Sequence, residues 1–385
     1  MSHTTMSALK QLKRKVRILA IETSCDETGV ALVEASGGLR APKFKVLENL
    51  IASQIKIHRP FGGVVPNLAK REHIKNLPVL YKKLLTTHHS LLTKVDLIAV
   101  TVGPGLEPAL WTGIEFAKAL RKQLLPTRHS LLPKLVGANH MEGHLYSFLL
   151  PQKAKSKLQS PNIKNMFPAV ALVVSGGHTM LLLLNDLTHW KKLGETRDDA
   201  VGEAFDKVAR MLRLPYPGGP EIEKLSKKGD PHAINFPRPM MHTKDFDFSF
   251  SGLKTAVLYY LRDQGYSHSP IANSGRKKSL NPNGQTLMAN VAASFQNAAI
   301  DVLIHKTKRA AETYGAKSLI LAGGVAANTP LRTAIARLAR ELHIKHFVPP
   351  FAYNTDNAAM IAAAGYMAHM RGKKYRLVAK GDMNI

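Results

Sequence analysis

The chain has 385 residues, with 54 Lys and Arg against 27 Asp and Glu, a formal net charge of +27. Its 45% hydrophobic content is enough for real cores and excludes a disordered basic tail protein. The single cysteine, Cys25, excludes an intrachain disulfide and a four-cysteine zinc site, and no uninterrupted apolar run approaches the ~20 residues of a membrane span.

Residues 1–17, MSHTTMSALKQLKRKVR, are basic, contain Ser and Thr and lack acids. That suits a mitochondrial transit segment or the stub left after one, and equally a simple basic arm. An apolar strand is predicted at 16–22, a polar turn at 23–29 and apolar residues again at 30–33. A helix follows over 68–92, kinked before Pro78, then a strand at 96–102 and a helix near 109–125. The Pro/Lys/Ser-rich stretch 151–161 marks a boundary. The same layout then returns: strand 169–174, polar turn 175–179, strand 180–184. Helices near 203–214 and 286–314, a strand at 318–322, and helices near 330–342 and 355–370 complete the chain, with an exposed loop over 265–284. Two strand–turn–strand units with alternating helices predict an α/β protein of two similar halves. The expected organisation is a basic segment 1–15, a first lobe 16–150, a second lobe 151–350, and a C-terminal helix and tail 351–385.

Both turns carry small and hydroxylated residues: Thr23, Ser24 and Gly29 in one, Ser175, Gly176, Gly177 and Thr179 in the other. Facing each other, they would grip a phosphate by backbone N–H groups and hydroxyls; singly, each is an ordinary hairpin turn. AGGVAAN (322–328) sits between a strand and a helix, where Gly323 and Gly324 would admit a ligand close to the backbone. PGGP (217–220) reads as a rigid loop. His140 and His144 in HMEGH share one face of a helix and can bind one ion, leaving room for a carboxylate and substrate, a pattern that suits Zn or Fe(II). The carboxylate expected is Asp356 in NTDN, a place where an ordinary N-cap would also sit. The H-E-x-x-H metallopeptidase pattern is not met: Met141 follows the first histidine and Glu142 is one residue later, ~100° further round the helix.

Basic residues also occupy acid-free windows: Lys10, Lys13, Arg14, Lys15, Arg17, Lys118, Arg121, Lys122, Arg128, Lys134, Lys153, Lys155, Lys157, Lys164, Arg276, Lys277 and Lys278. Nucleic acid, an anionic membrane surface or a generally basic compartment would each explain such charge.

Taken in order, ETSCDETG (22–29), GGVVPNLAKREHI (62–74), VTVGPGL (100–106), HMEGH (140–144), VSGGHT (174–179), GEAFDKVAR (202–210), YPGGP (216–220), FSFSGLKT (248–255), GGVAAN (323–328) and NTDNAAMIA (354–362) resemble the TsaD-like tRNA threonylcarbamoyladenosine transferases. The resemblance covers about residues 16–370. It implies a duplicated actin-like ATPase (ASKHA) fold, with two lobes around a central cleft. It implies transfer of L-threonylcarbamoyl from threonylcarbamoyl-AMP to N6 of adenosine 37 in tRNAs reading codons that begin with A. By motif, His140, His144 and Asp356 would hold one divalent metal, Zn or Fe. Val173, Val174, Ser175, Gly176 and Gly177 would hold the threonylcarbamoyl and phosphate portion, and Asp206, Gly219 and Asn328 the adenylate. The basic start makes the chain look like a mitochondrial, matrix-located member, and such members are expected to pair as homodimers. The chain departs from the family pattern at Asn67, at 107–109, at Trp111 and at Asn354, none of them an expected ligand.

The proton acceptor expected for the transfer is Asp26, with Glu27 the alternate; turn stabilisation is the competing role for both. Cys25 has acids rather than cations beside it and is expected to be non-catalytic. Two rivals remain from the sequence: an actin-fold small-molecule kinase or ATPase, which gives the histidine pair no role, and a non-catalytic tRNA- or chromatin-binding subunit, which leaves the metal and nucleotide residues unexplained.

Overall fold

The computed structural model describes residues 15–124, 132–154, 157–266 and 282–385. The chain divides into two compact units, one of residues up to 165 with 185–189 and 348–385, the other of 166–184 and 190–347.

In the first unit, β1 (Val16–Glu22) buries Ile18, Leu19, Ala20 and Ile21 completely. A strand apolar on both faces belongs at the centre of a covered sheet. β2 (Glu27–Ser36) pairs antiparallel with β1, and β3 (Lys43–Ser53) antiparallel with β2. β4 (Leu97–Gly103) and β5 (Lys134–Asn139) add in parallel on the other side, giving the order β3-β2-β1-β4-β5. Leu77 and Leu84 of the helix Pro66–Leu92 and Leu110 and Ile114 of the helix Glu107–Gln123 join the core with Leu19, Ile21, Val30 and Leu32. The helix Ala358–Met370, buried from Ala358 to Ala368, packs against β1, β2 and β5. β6 (Gln152–Ala154) and β7 (Lys157–Gln159) form a small antiparallel ribbon.

The second unit repeats the plan. β8 (Ala169–Val174) is buried throughout, β9 (Thr179–Leu184) and β10 (Trp190–Glu195) follow antiparallel, and β11 (Ser318–Ala322) and β12 (Lys345–Phe347) are parallel. The order β10-β9-β8-β11-β12 matches the first sheet strand for strand. The duplication expected from the two hairpins is thus present in sheet order as well.

Four local readings change. β3 had no strong apolar signal because its burial is only partial, as suits an edge strand with Lys, Glu and Asn among its residues. The helix Pro66–Leu92 runs through exposed Pro78 and instead leaves helical geometry at His88 (φ −130°, ψ 27°). Pro78 costs one backbone bond, and the carbonyl it abandons belongs to Ile74, on an exposed face where water can serve it. PGGP is not a loop: the helix Gly218–Ser226 begins inside it, with Pro220 in the first turn, where its missing N–H would have had no intrahelical partner. Finally, Gly284–Thr313 is long and apolar enough to cross a membrane when averaged over a window, although no uninterrupted apolar run is. Of that window, 67% is buried inside the protein, as in a core helix.

At Gly323 (φ +93°) a Cβ would lie 2.2 Å from the carbonyl oxygen of Val174. We expect Gly323→Ala to lower unfolding stability by about 2 kcal/mol or more, from positive-φ strain plus displacement of β8. Chemical denaturation checks this, and a change under ~0.5 kcal/mol would contradict it.

Candidate functional site

Asn139, at the end of β5, caps the short helix His140–Tyr146: its Oδ1 accepts N–H bonds from Met141 (2.8 Å) and Glu142 (3.1 Å). This start sets both histidines on one face, with ring centroids 4.6 Å apart and planes at 83°. Gly143 lets the helix lie directly on the helix Ala358–Met370; a Cβ there would be 3.0 Å from Ile361 Cδ1 and 3.2 Å from Met360 Cγ. The capping oxygen of that second helix comes from Asn357, which accepts from the Met360 N–H at 3.0 Å. Asp356 is therefore not the N-cap, and its carboxylate is directed to the histidines instead.

Asp356 Oδ1 lies 3.2 Å from His144 Nε2 and 3.4 Å from His140 Nε2. One ligand atom from each of the three residues falls within 4.8 Å of the others. His144 is fully buried, and among the described residues neither ring nitrogen has an aligned hydrogen-bond partner, Nε2 facing only the Asp356 carboxylate at 3.2 Å. Orphaned imidazole nitrogens in a buried site are costly unless something else engages them, and a divalent ion would. Two imidazoles and a carboxylate are a donor set that zinc or iron accepts. The residues present therefore fit a metal.

Glu22, which sequence reasoning passed over, stands behind His140. Its Oε2 is 3.4 Å from His140 Nδ1 and accepts from Thr101 Oγ1 at 2.5 Å, while Oε1 accepts the Ser24 N–H at 2.5 Å. A carboxylate at Nδ1 turns Nε2 toward the ligand group. Burial would push His140 down, but Asp356 and Glu22 outweigh it and hold the imidazole at about 10. Burial, with His140 close by, keeps His144 below the usual histidine range. Burial would likewise raise Asp356, but His140 and His144 hold its carboxyl far below the usual range. Glu142 is not part of this group; Arg371, Lys373 and Tyr375 engage its carboxylate.

The turn between β1 and β2 carries Asp26 (6% exposed) and Glu27. Burial, then the neighbouring Asp26 and Asp356, push Glu27 well above the usual carboxylate range. Burial and Asp26 also push the Cys25 thiol well above the usual thiol range, which disfavours the nucleophilic thiolate. The turn is held by residues without an evident sequence signal. His73 bonds the Cys25 carbonyl through Nε2 (2.9 Å) and Thr28 Oγ1 through Nδ1 (2.8 Å). Burial lowers its pKa, so the neutral ring donates at one nitrogen and accepts at the other. The Gln54 N–H donates to the Asp26 carbonyl at 2.9 Å.

In the second unit, Val173 and Val174 end β8 and are fully buried. The turn after them closes on itself: the Ser175 N–H donates to the His178 carbonyl (2.8 Å), and the His178 N–H to Ser175 Oγ (3.1 Å). A Cβ built at Gly176, Gly177 or Gly219 meets nothing within 4 Å, so these backbone positions are open to a ligand. Asp206 Oδ1 accepts the Gly218 N–H at 2.7 Å, tying the helix Val201–Met211 to the start of Gly218–Ser226. Asn328 caps the helix Thr329–Glu341 through Oδ1 and gives Nδ2 to Gln296 Oε1 (2.9 Å), whose own Nε2 donates to Ser226 Oγ. The Asp206 and Asn328 side chains thus already tie helix starts together.

Among the basic windows, Lys10, Lys13, Arg14, Arg128, Lys155, Arg276, Lys277 and Lys278 lie outside the described residues. Lys15 and Arg17 pair with Glu34, Lys118 pairs with Glu115 and covers Trp111, and Arg121 donates to the Pro133 carbonyl.

Comparison with known proteins gives the class first. HypF, solved in a phosphate- and nucleotide-bound form, aligns over 96% of this chain and 48% of its own at TM-score 0.53 and 12% identity; T. kodakarensis HypF aligns over 95% and 50% at 0.55 and 13%. The chain spans about half the length of those proteins, and the shared architecture is the actin-like ATPase fold. The family model described as "TsaD: tRNA N6-adenosine threonylcarbamoyltransferase" matches residues 45–363. Proteins of that name are 45% identical in Thermosipho africanus (92% of this chain, 95% of the relative), 47% in Fervidobacterium nodosum (90% and 92%) and 45% in Moorella thermoacetica (94% and 95%). The chain belongs to this TsaD family of transferases.

We expect the purified protein to bind one divalent ion, and His144→Ala to lose it. At ~100 times the dissociation constant the ion should add about 2.7 kcal/mol of stability to the wild type and none to the variant. Metal analysis and thermal unfolding with and without chelator check this; equal behaviour of the two proteins would contradict the assignment.

Proposed function

We propose that this protein is a tRNA N6-adenosine threonylcarbamoyltransferase that uses threonylcarbamoyl-AMP as donor and adenosine 37 of tRNAs reading codons beginning with A as acceptor. The observation that carries the reading is the buried His140–His144–Asp356 group, with both imidazole Nε2 atoms turned to one carboxylate oxygen, in a chain of that family. A kinase or ATPase of the same fold gives that group no work. The peptidase reading has no base, since Glu142 is engaged by Arg371, Lys373 and Tyr375.

In the reaction the adenosine N6 lone pair forms a C–N bond to the carbamoyl carbon. The bond from that carbon to the phosphate oxygen breaks, AMP leaves, and N6 gives up a proton. The amine is a poor nucleophile because its lone pair is delocalised into the purine, so positioning and charge stabilisation have to supply much of the rate. A divalent ion on His140, His144 and Asp356, zinc or iron, would supply Lewis-acid stabilisation of negative charge on the donor's oxygens. The open backbone at Gly176 and Gly177 would hold the threonylcarbamoyl and phosphate portion, beside Val173, Val174 and Ser175. Asp206, Gly219 and Asn328 would border the adenylate, with Gly219 offering open backbone and Asn328 pre-set by Gln296. Asp26 takes the N6 proton, with Glu27 the alternate, whose raised pKa places its proton exchange nearer neutrality.

Adenosine 37 lies in a loop and reaches a pocket without opening a duplex. The excess of cations would bind the anticodon arm. For location, the basic, acid-free start supports import into the mitochondrial matrix; a fluorescent fusion that stays in the cytosol would count against it. For assembly, the resemblance to mitochondrial members carries pairing of two copies; a monomer at micromolar concentration by sedimentation would count against it.

The test is purified, metal-replete protein with threonylcarbamoyl-AMP and a tRNA bearing adenosine 37, the modified nucleoside read by mass spectrometry. We expect product, a loss of about 100-fold or more in rate for Asp26→Asn with tRNA binding retained, and tRNA affinity that falls steeply with salt. No product would refute the function, an active Asp26→Asn the base, and a flat salt dependence the electrostatic grip.

A further inference from the structure

The ligand helix His140–Tyr146 has only seven residues, too few to hold its own geometry, and it carries a carboxylate that the transfer chemistry leaves unused. Glu142 is fully buried. All of its identified side-chain partners come from one segment more than two hundred residues later in the sequence, just beyond the helix Ala358–Met370. Arg371 Nη2 donates to Oε2 at 2.8 Å, Lys373 Nζ to Oε1 at 3.0 Å, and Tyr375 Oη to Oε1 at 2.7 Å. The same tail touches the front of the helix, where the Asn384 carbonyl accepts from Nδ2 of the capping Asn139 at 2.9 Å. It is anchored along its length: the Lys380 N–H donates to the Val102 carbonyl, the Gly105 N–H to the Gly381 carbonyl, and Tyr375 lies against Gly137.

We propose that Glu142 is a positioning residue for the metal site, and that the C-terminal tail acts through it as a clamp fixing the angle of the histidine helix. The two ends of that helix are fixed separately, at Asn139 by Asn384 and at Glu142 by Arg371, Lys373 and Tyr375. Gly143 allows the face between the histidines to rest on Met360 and Ile361, in the helix that follows Asp356. The sequence HMEGH therefore interleaves two ligands with one anchor and one contact residue. A charge-assisted clamp of this kind fixes orientation because the fully buried carboxylate cannot swing away from Arg371 and Lys373 without being left uncompensated. In a three-ligand site, a small rotation of the helix moves both imidazoles relative to Asp356, and affinity falls steeply with misplacement.

The inference rests on reading His140, His144 and Asp356 as a metal site, and the experiment separates the two. Zinc affinity of the full-length protein is measured by competition with a chromogenic chelator for wild type, Glu142→Gln, Tyr375→Phe and Lys373→Ala. Unfolding of each metal-free protein is measured in parallel. We expect weakening of about tenfold or more for Glu142→Gln, the lower end of the scale of lost outer-shell support at metal sites, and a smaller loss, roughly threefold or more, for Tyr375→Phe and Lys373→Ala, which keep the carboxylate. The metal-free Tyr375→Phe and Lys373→Ala proteins should remain folded, and excess zinc should restore transfer by them toward the wild-type rate, a rescue that a general folding defect would not show. If Glu142→Gln does not fold, these two variants, which keep the carboxylate, decide alone. Affinities of the folded variants within twofold of wild type would overturn the clamp and leave the metal site standing. A wild type that binds no zinc or other divalent ion would overturn both.

Discussion

The structure depends on bringing one carboxylate to two imidazoles. His140 and His144 belong to the loop-and-helix that ends the first sheet, whereas Asp356 lies beyond the entire second unit in sequence. The chain meets this demand by building one five-stranded sheet, building a second of the same strand order, and returning at 348 to finish the first unit. The returning helix Ala358–Met370 is rich in Ala, with Gly365 at its middle, and it is buried for most of its length against β1 and β2. Small side chains let it sit deep enough for Asp356, just before it, to reach the histidines. Ligand placement and core packing are thus one constraint, and a bulky residue at Gly143 or along that helix would disturb both.

Much of the protein's acid is used internally. Glu22 orients His140, Glu142 engages the tail, and Asp356 faces the imidazoles. At the surface, exposed Asp198 accepts from the Phe250 and Ser251 N–H groups and from the hydroxyls of Ser249 and Ser251, and part-buried Asp199 binds Lys207 and Lys254. Glu142 and Asp199 also tie up four cations, yet 54 Lys and Arg against 27 Asp and Glu still leave a basic exterior. A polyanionic RNA acceptor suits that surface, and the interior acids suit the metal and the shape of the turns.

The strands β1, β8 and β11 were legible because each contains an apolar run of four to six residues: 18–21, 169–174 and 319–322. The repeated polar turns made the duplication legible, and the i, i+4 histidines made two of the three residues of the candidate ligand set legible. Asp356 could be named, but its geometry could not, because nothing local distinguishes a ligand from an N-cap; the structure resolves it by giving the cap to Asn357. The residues that hold the turns and helices in place were hidden. His73, Gln54, Gln296 and the Arg371–Tyr375 tail act across long sequence separations, and no periodicity or spacing marks a partner that only folding brings near. The helix starting inside PGGP was hidden for the opposite reason: strong local turn propensity is overridden by the Asp206 bond to the Gly218 N–H.

X-ray absorption spectroscopy of the protein loaded with one equivalent of zinc reads this site most directly. Two imidazole nitrogens and at least one carboxylate oxygen are predicted in the wild-type coordination shell, and this zinc-bound signature is predicted to be lost in His144→Ala. A spectrum with no imidazole contribution, or one unchanged by that substitution, would contradict the metal assignment.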